Sequence, residues 1–140
     1  MSSSTAPTIT PLDCGWLVAQ ERIVVAGGSH DQIRLPIPAW LIEHSNGPVL
    51  FDVGLHPDLA DGPESLGPSA KFFTPELDRN GTIATRLQER HVDPEQALTV
   101  VVSHCHFDHV GGLCELPNAR LIVQADEWRA ALDETDAGFD

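Results

Sequence analysis

Two apolar runs, Ala39 to His44 and Val49 to Val53, stand either side of Ser45-Asn46-Gly47-Pro48. Asn-Gly between such runs predicts a β-hairpin. Upstream, Trp16 to Val25 reads as strand stopped by Gly27-Gly28, and His30 to Leu35 reads as loop. Thr82 to His91 sets Ile83, Leu87 and Val92 at helix-compatible spacing. Asp93-Pro94-Glu95 has the N-cap, proline and first-turn acid of a second short helix. Leu98 to Val102 is so apolar and β-branched that it predicts a central strand buried on both faces. Arg120 to Gln124 reads as a further strand. Ala125 to Leu132 reads as a helix with Trp128 and Leu132 on one face. Strands followed by helices predict a layered α/β fold, one domain over residues 1–140 with residues 1–10 a disordered tail.

The segment from Gly54 to Asn80 is long for a connection inside a compact domain, which points to function or to hidden structure. Its Phe72-Phe73 pair either builds a small satellite core beneath the loop or covers a substrate.

The chain has eight basic and twenty-one acidic side chains, a formal charge of −13. That charge repels nucleic acid and anionic membranes and favours a neutral or weakly charged substrate. No apolar run approaches the roughly 18 residues of a transmembrane helix. The start, MSSSTAPT, has no signal-peptide character, so a cytoplasmic protein is expected. Cys14, Cys105 and Cys114 lack C-x-x-C spacing and read as reduced thiols.

One stretch changes the picture. In SHCHFDHVGG, Ser103 to Gly112, four potential metal ligands fall within six positions. His104 and His106, two apart in extended chain, aim two imidazoles one way and Cys105 the other. Asp108 and His109 follow after a turn and face a neighbouring position. Two such pairs suit two metals side by side, and imidazole with carboxylate suits zinc first. Gly111-Gly112 would let the backbone pass close beneath the metals and supply a positive φ. His30, His44, His56 and His91 are isolated and read as surface or core residues, His56 being the nearest in sequence to Asp52.

H-x-H-x-D-H followed by Gly-Gly at the end of a β-branched strand resembles the signature of the metallo-β-lactamase superfamily. Phe51-Asp52-Val53-Gly54 resembles that family's upstream aspartate–glycine strand end, with Val53 where threonine is usual. Within the superfamily the chain looks most like the N-acyl-homoserine lactonases, the quorum-quenching enzymes. The likeness runs at intervals from Leu35-Pro36 and Trp40 through the hairpin and the histidine stretch to Ile122-Val123-Gln124 and the helix carrying Glu127.

The resemblance implies an αββα sandwich, of which these residues are the N-terminal half: one mostly complete sheet with flanking helices. It implies two divalent metal ions, zinc by preference, with His104 and His106 on the first and Asp108 and His109 on the second. Asp52 would orient those ligands by hydrogen bonding. The metals would polarise a lactone carbonyl and acidify a bridging water, and Asp108 would handle the proton passed to the leaving alkoxide. Phe107, Phe72 and Phe73 would offer apolar surface to an acyl chain. The implied reaction is opening of the lactone ring of N-acyl-homoserine lactones. The alternatives are a thioester or β-lactam hydrolase on the same metals, or a non-catalytic half-domain whose metal site a partner completes.

The chain departs from the family in what it lacks. The family completes its site with a third histidine on the first metal, a bridging aspartate and a last histidine on the second; it also uses a tyrosine near the substrate carbonyl. Here His109 is the one histidine after His106, and there is no tyrosine. The chain is therefore expected to be incomplete at its C-terminus, with its activity dependent on the later ligands. It would need its missing C-terminal half or a second copy, since one sheet leaves an apolar face uncovered.

Overall fold

A computed structural model describes residues 6–133; residues 1–5 of the expected tail lie outside them. The described residues form one six-stranded mixed sheet with helices against one face. In chain order the strands are β1 (Thr8–Gln20), β2 (Gln32–Glu43), β3 (Val49–Phe51), β4 (Phe73–Glu76), β5 (Thr99–Val101) and β6 (Arg120–Ile122). Their spatial order is β4-β1-β2-β3-β5-β6. The helices are α1 (Glu21–Val24), α2 (Ile83–Gln88), α3 (Phe107–Val110) and α4 (Ala125–Leu132).

The predicted hairpin forms between β2 and β3, with Trp40 opposite Phe51 and Ile42 opposite Val49. Gly47, at φ +108°, closes its turn by donating to the His44 carbonyl over 2.9 Å. Strand β1 is longer than its pattern suggests. It takes in Thr8 to Thr10, read as tail, because these residues pair with Glu43, Ile42 and Leu41. It also ends at Gln20, where Glu21 to Val24 turn into helix instead of extending the strand. A bulge at Gly15 (φ +104°) shifts the buried positions from Leu12 and Cys14, in the main core, to Leu17, in a second core, and Ala19, so both halves of β1 keep their apolar side chains inward. Gln32 to Leu35, read as loop, are strand for the same non-local reason, being paired with Gln20 to Leu17.

Two expectations fail locally. Asp93-Pro94-Glu95 is a turn and not a helix. The Asp93 side chain accepts from the Glu95 N–H at 2.9 Å, and the chain then has to straighten into β5. Strand β5 is buried on one face only: Val100 is fully buried, while Thr99 and Val101 are half-buried. Its apolarity serves a second surface. Trp40, Phe51, Val101 and Ile122 are cross-strand neighbours in one row over four strands, and Ile122 is 47% exposed. The expected uncovered apolar face is thus a property of the described residues.

The opposite row, Leu41, Leu50 and Val100, joins Ile83, Leu87, Leu98 and Leu116 in the main core. The Gly54–Asn80 segment has structure of its own. Two 3-10 stretches, Pro57–Ala60 and Glu64–Lys71, precede β4, and Leu59 and Leu66 pack with Leu17, Ile37 and Leu55 in a second core. Phe73 joins this satellite core, whereas Phe72 is 45% exposed beneath the Lys71 ammonium.

Candidate metal centre

Parallel strands β3 and β5 end side by side, and the site forms beyond their carboxyl ends, where α/β sheets present chemistry. Asp52, the residue after β3, has φ +57°, a left-handed conformation that aspartate tolerates better than most residues. Its N–H still donates to the Val101 carbonyl at 2.9 Å, while the turn swings its carboxylate over the start of the histidine stretch. Asp52 as a whole is 4% exposed. It accepts from the Ser103 N–H at 2.8 Å, from the Ser103 hydroxyl at 2.7 Å and from His109 Nδ1 at 2.8 Å.

The histidine stretch is fixed from two sides. On one, the Val53 N–H donates to the His109 carbonyl at 2.9 Å. On the other, Glu127 in the first turn of α4 accepts the Cys105 N–H at 2.8 Å, between the two histidines. Cys105 packs its thiol against the main core. Cys14 is buried, and burial pushes its thiol up to about 12. The glycine pair acts differently from the expectation: Gly111 has φ −58°. Gly111 and Gly112 instead let the 3-10 turn that follows α3, Gly111–Glu115, lie against residues 53–56, since a Cβ on either would stand 2.3 Å from a backbone atom there.

His104 Nε2 lies 3.1 Å from His106 Nδ1, and His109 Nε2 lies 3.4 Å from Asp108 Oδ2. The His104 and His109 rings are 4.0 Å apart between centroids. Two donors bound at roughly 2.0–2.1 Å to one tetrahedral zinc stand about 3.3 Å apart. Each pair therefore has the span of one edge of a metal's coordination shell, and the two edges are adjacent. Among the described residues no three His, Cys, Asp or Glu side chains converge on one point able to hold an ion. Each edge brings two donors, short of the three that a zinc site takes from protein.

Charge follows from the same contacts. Burial disfavours the carboxylate of Asp52, but hydrogen bonds from His109 and Ser103 outweigh it and lower its pKa. Burial likewise works against the ionised Asp108, and its hydrogen bond with His109 overcomes that. His104 is held low, first by burial and then by the charges of His109 and His106, so it stays neutral and able to ligate. Burial opposes the His109 imidazolium, yet hydrogen bonds to Asp108 and Asp52 push it up to about 9 from 6.5.

A pH dependence follows for the chain stripped of metal. Because the folded His109 pKa is raised, its contribution is complete below pH 6.5 and is lost as pH rises through about 9. Asp52 and Asp108 are lowered, so their contributions are present above their ordinary value of 3.8 and are lost as pH falls through the folded values. Urea unfolding should show greatest stability at mildly acid pH, falling by on the order of 2 kcal/mol between pH 6.5 and 9.5. A flat profile across that window would mean that His109 does not sit between two carboxylates.

The other sequence-predicted residues are placed as follows. Phe107 meets Phe73 edge-on, with ring centroids 5.6 Å apart, in the satellite core. His56 caps the Pro57–Ala60 turn by accepting the Asp58 N–H on Nδ1, and His44 accepts the Asn46 N–H in the hairpin turn. His91 lies in the turn three residues past α2, at φ +59°. Two contributors had no role assigned from sequence, although Glu127 lies on the helix that ends the family likeness: Ser103 and Glu127 touch the site through partners 51 and 22 residues away.

A strand-end aspartate under an H-x-H-x-D-H turn on a mixed sheet defines the class. The chain belongs to the metallo-beta-lactamase superfamily, whose family model matches residues 33–136. An N-acyl homoserine lactonase of Bacillus cereus is 35% identical over 102 residues, covering 71% of this chain and 40% of that protein. The N-acyl homoserine lactonase AttM of Rhizobium johnstonii is 31% identical over 105 residues, covering 74% of this chain and 40% of that protein. A variant of B. thuringiensis AiiA with N-decanoyl-L-homoserine bound at its active site superposes with TM-score 0.82 at 24% identity, over 91% of this chain and 52% of that one. AidC, a dizinc quorum-quenching lactonase, superposes with TM-score 0.66 at 16% identity, over 94% of this chain and 46% of that one. The chain spans about 40% of the length of these curated relatives and about half of these solved structures.

Proposed function

We propose that the chain carries the first metal-ligating residues of a metal-dependent hydrolase that opens the lactone ring of N-acyl homoserine lactones. The observation that carries the reading is the pair of adjacent donor edges, His104 with His106 and Asp108 with His109, set over the Asp52 carboxylate. The lactonase names of the relatives support the substrate class, and the superposition on AiiA supports the fold it needs. His104 and His106 hold one divalent ion and Asp108 and His109 the other, zinc being the favoured metal for this donor set. When bound, such ions supply Lewis acidity and a water acidified to near neutral pH.

The chain's own residues do the rest. Asp52 orients His109, and Asp108, whose Oδ2 lies 3.4 Å from His109 Nε2, would carry a proton to the departing alkoxide. Phe107, next to His106 and backed by Phe73, offers apolar surface for an acyl tail, with Phe72 exposed nearby in sequence. A tail of this kind attached to an uncharged ring suits a chain with a net charge of −13.

Two donors to each ion favour a second reading, a half-domain that binds metal or a partner without turnover. Zinc loading and a pH-stat assay with a long-chain acyl lactone separate the two. The hydrolase reading expects turnover above the zinc-buffer rate and its loss to that rate in Asp108→Ala. Equal rates for the two proteins, with zinc well below one ion per chain, would leave the half-domain reading standing.

A further inference from the structure

We propose that Ser103 is a positioning residue: its hydroxyl relays the Asp52 carboxylate to His104 and so fixes which nitrogen of His104 is free to ligate. This rests on the metal reading above and concerns a residue outside the ligand set.

Donors and acceptors around the hydroxyl can be counted. Ser103 Oγ has one proton to give and two lone pairs. It lies 2.7 Å from Asp52 Oδ2, 3.0 Å from His104 Nδ1 and 3.3 Å from His109 Nδ1. The ionised Asp52 accepts only, so the hydroxyl proton is committed to it. Ser103 Oγ then meets His104 Nδ1 as an acceptor, and that nitrogen must carry the ring proton. Nε2 of His104 is then the unprotonated nitrogen, an acceptor facing His106 Nδ1 at 3.1 Å, on the edge where an ion fits.

Asp52 treats the other imidazole directly, accepting from His109 Nδ1 at 2.8 Å and turning Nε2 towards Asp108. One buried carboxylate thus sets the ring orientation of a ligand on each edge, His109 by contact and His104 through Ser103. The Ser103 N–H separately donates to Asp52 Oδ1 at 2.8 Å, so losing the hydroxyl leaves the turn anchored. Outer hydrogen bonds of this type change metal affinity by roughly 10–100-fold.

The decisive measurement is the ring tautomer of His104, read from nitrogen-15 ring spectra of the chelator-stripped chain at pH 8. The wild type and Ser103→Thr should hold the proton on Nδ1, while Ser103→Ala and the similarly sized Ser103→Cys move it mainly to Nε2. Competition against a zinc chelator should show about tenfold weaker binding for Ser103→Ala, with Ser103→Thr restored to within about twofold. A His104 proton that stays on Nδ1 in both Ser103→Ala and Ser103→Cys would overturn the relay. If Ser103→Ala fails to fold, the comparison of Ser103→Cys with Ser103→Thr decides between the same two outcomes. A wild type that binds no zinc counts against the metal reading alone, because the tautomer is read without metal.

Discussion

Gly112→Ala is expected to lower the unfolding free energy of the metal-stripped chain by about 3 kcal/mol, the upper part of the range for overpacking a filled interior. A Cβ at Gly112 would stand 2.3 Å from the Val53 carbonyl oxygen and 2.7 Å from Ile83 Cγ2. Neither neighbour has room to give. Val53 is fully buried and its N–H is tied to the His109 carbonyl at 2.9 Å, while Ile83 is fully buried in α2. Relief must come from moving the turn after α3 away from residues 53–56, which strains the bond that places His109. Gly111→Ala meets His56 N at 2.3 Å and should behave alike. Cys114→Ala, an exposed position on the next turn, serves as the control and should stay within about 0.5 kcal/mol. Urea midpoints decide it: a Gly112→Ala curve that overlays the control would mean that the turn after α3 does not pack this closely.

The role of that glycine pair was not legible in the sequence. Gly111-Gly112 reads as room beneath metals or as a source of positive φ, yet the constraint is the approach of a chain some 55 positions earlier. Local features were legible where local physics decides them. The Asn46-Gly47 turn forms the hairpin, and Ala125 to Leu132 forms α4 with those bounds. Where a partner is remote, pattern misled. Thr8 to Thr10 and Gln32 to Leu35 are polar-rich or irregular in isolation and become strand through pairing between β1 and β2. Asp93 carried a helix signal that an Asx turn captured instead. Of the site, His104, His106, Asp108 and His109 announced themselves by spacing. Asp52 needed the family resemblance, and Ser103 and Glu127 needed the three-dimensional structure.

Asp52→Ala carries the other large effect, on the order of 3 kcal/mol of stability together with a loss of zinc affinity. Removing the carboxylate leaves the Ser103 N–H and hydroxyl and the His109 imidazolium without their acceptor, and an ion pair broken on one side costs more than the pair itself contributes. Asp52→Asn separates the two consequences. Asparagine tolerates φ +57° and its carbonyl oxygen still accepts from Ser103, so most of the stability should survive. Its amide cannot accept from His109 Nδ1 as the carboxylate does, so the imidazole loses the partner that turns Nε2 towards Asp108. Asp52→Asn should therefore fold within about 1 kcal/mol of the wild type by urea titration yet bind zinc at least about tenfold more weakly. Its stability should also fall less steeply between pH 6.5 and 9.5, because His109 keeps only one of the two carboxylates that raise it. An Asp52→Asn chain with wild-type zinc affinity and an unchanged pH profile would show that Asp52 supports the turn without orienting its histidines.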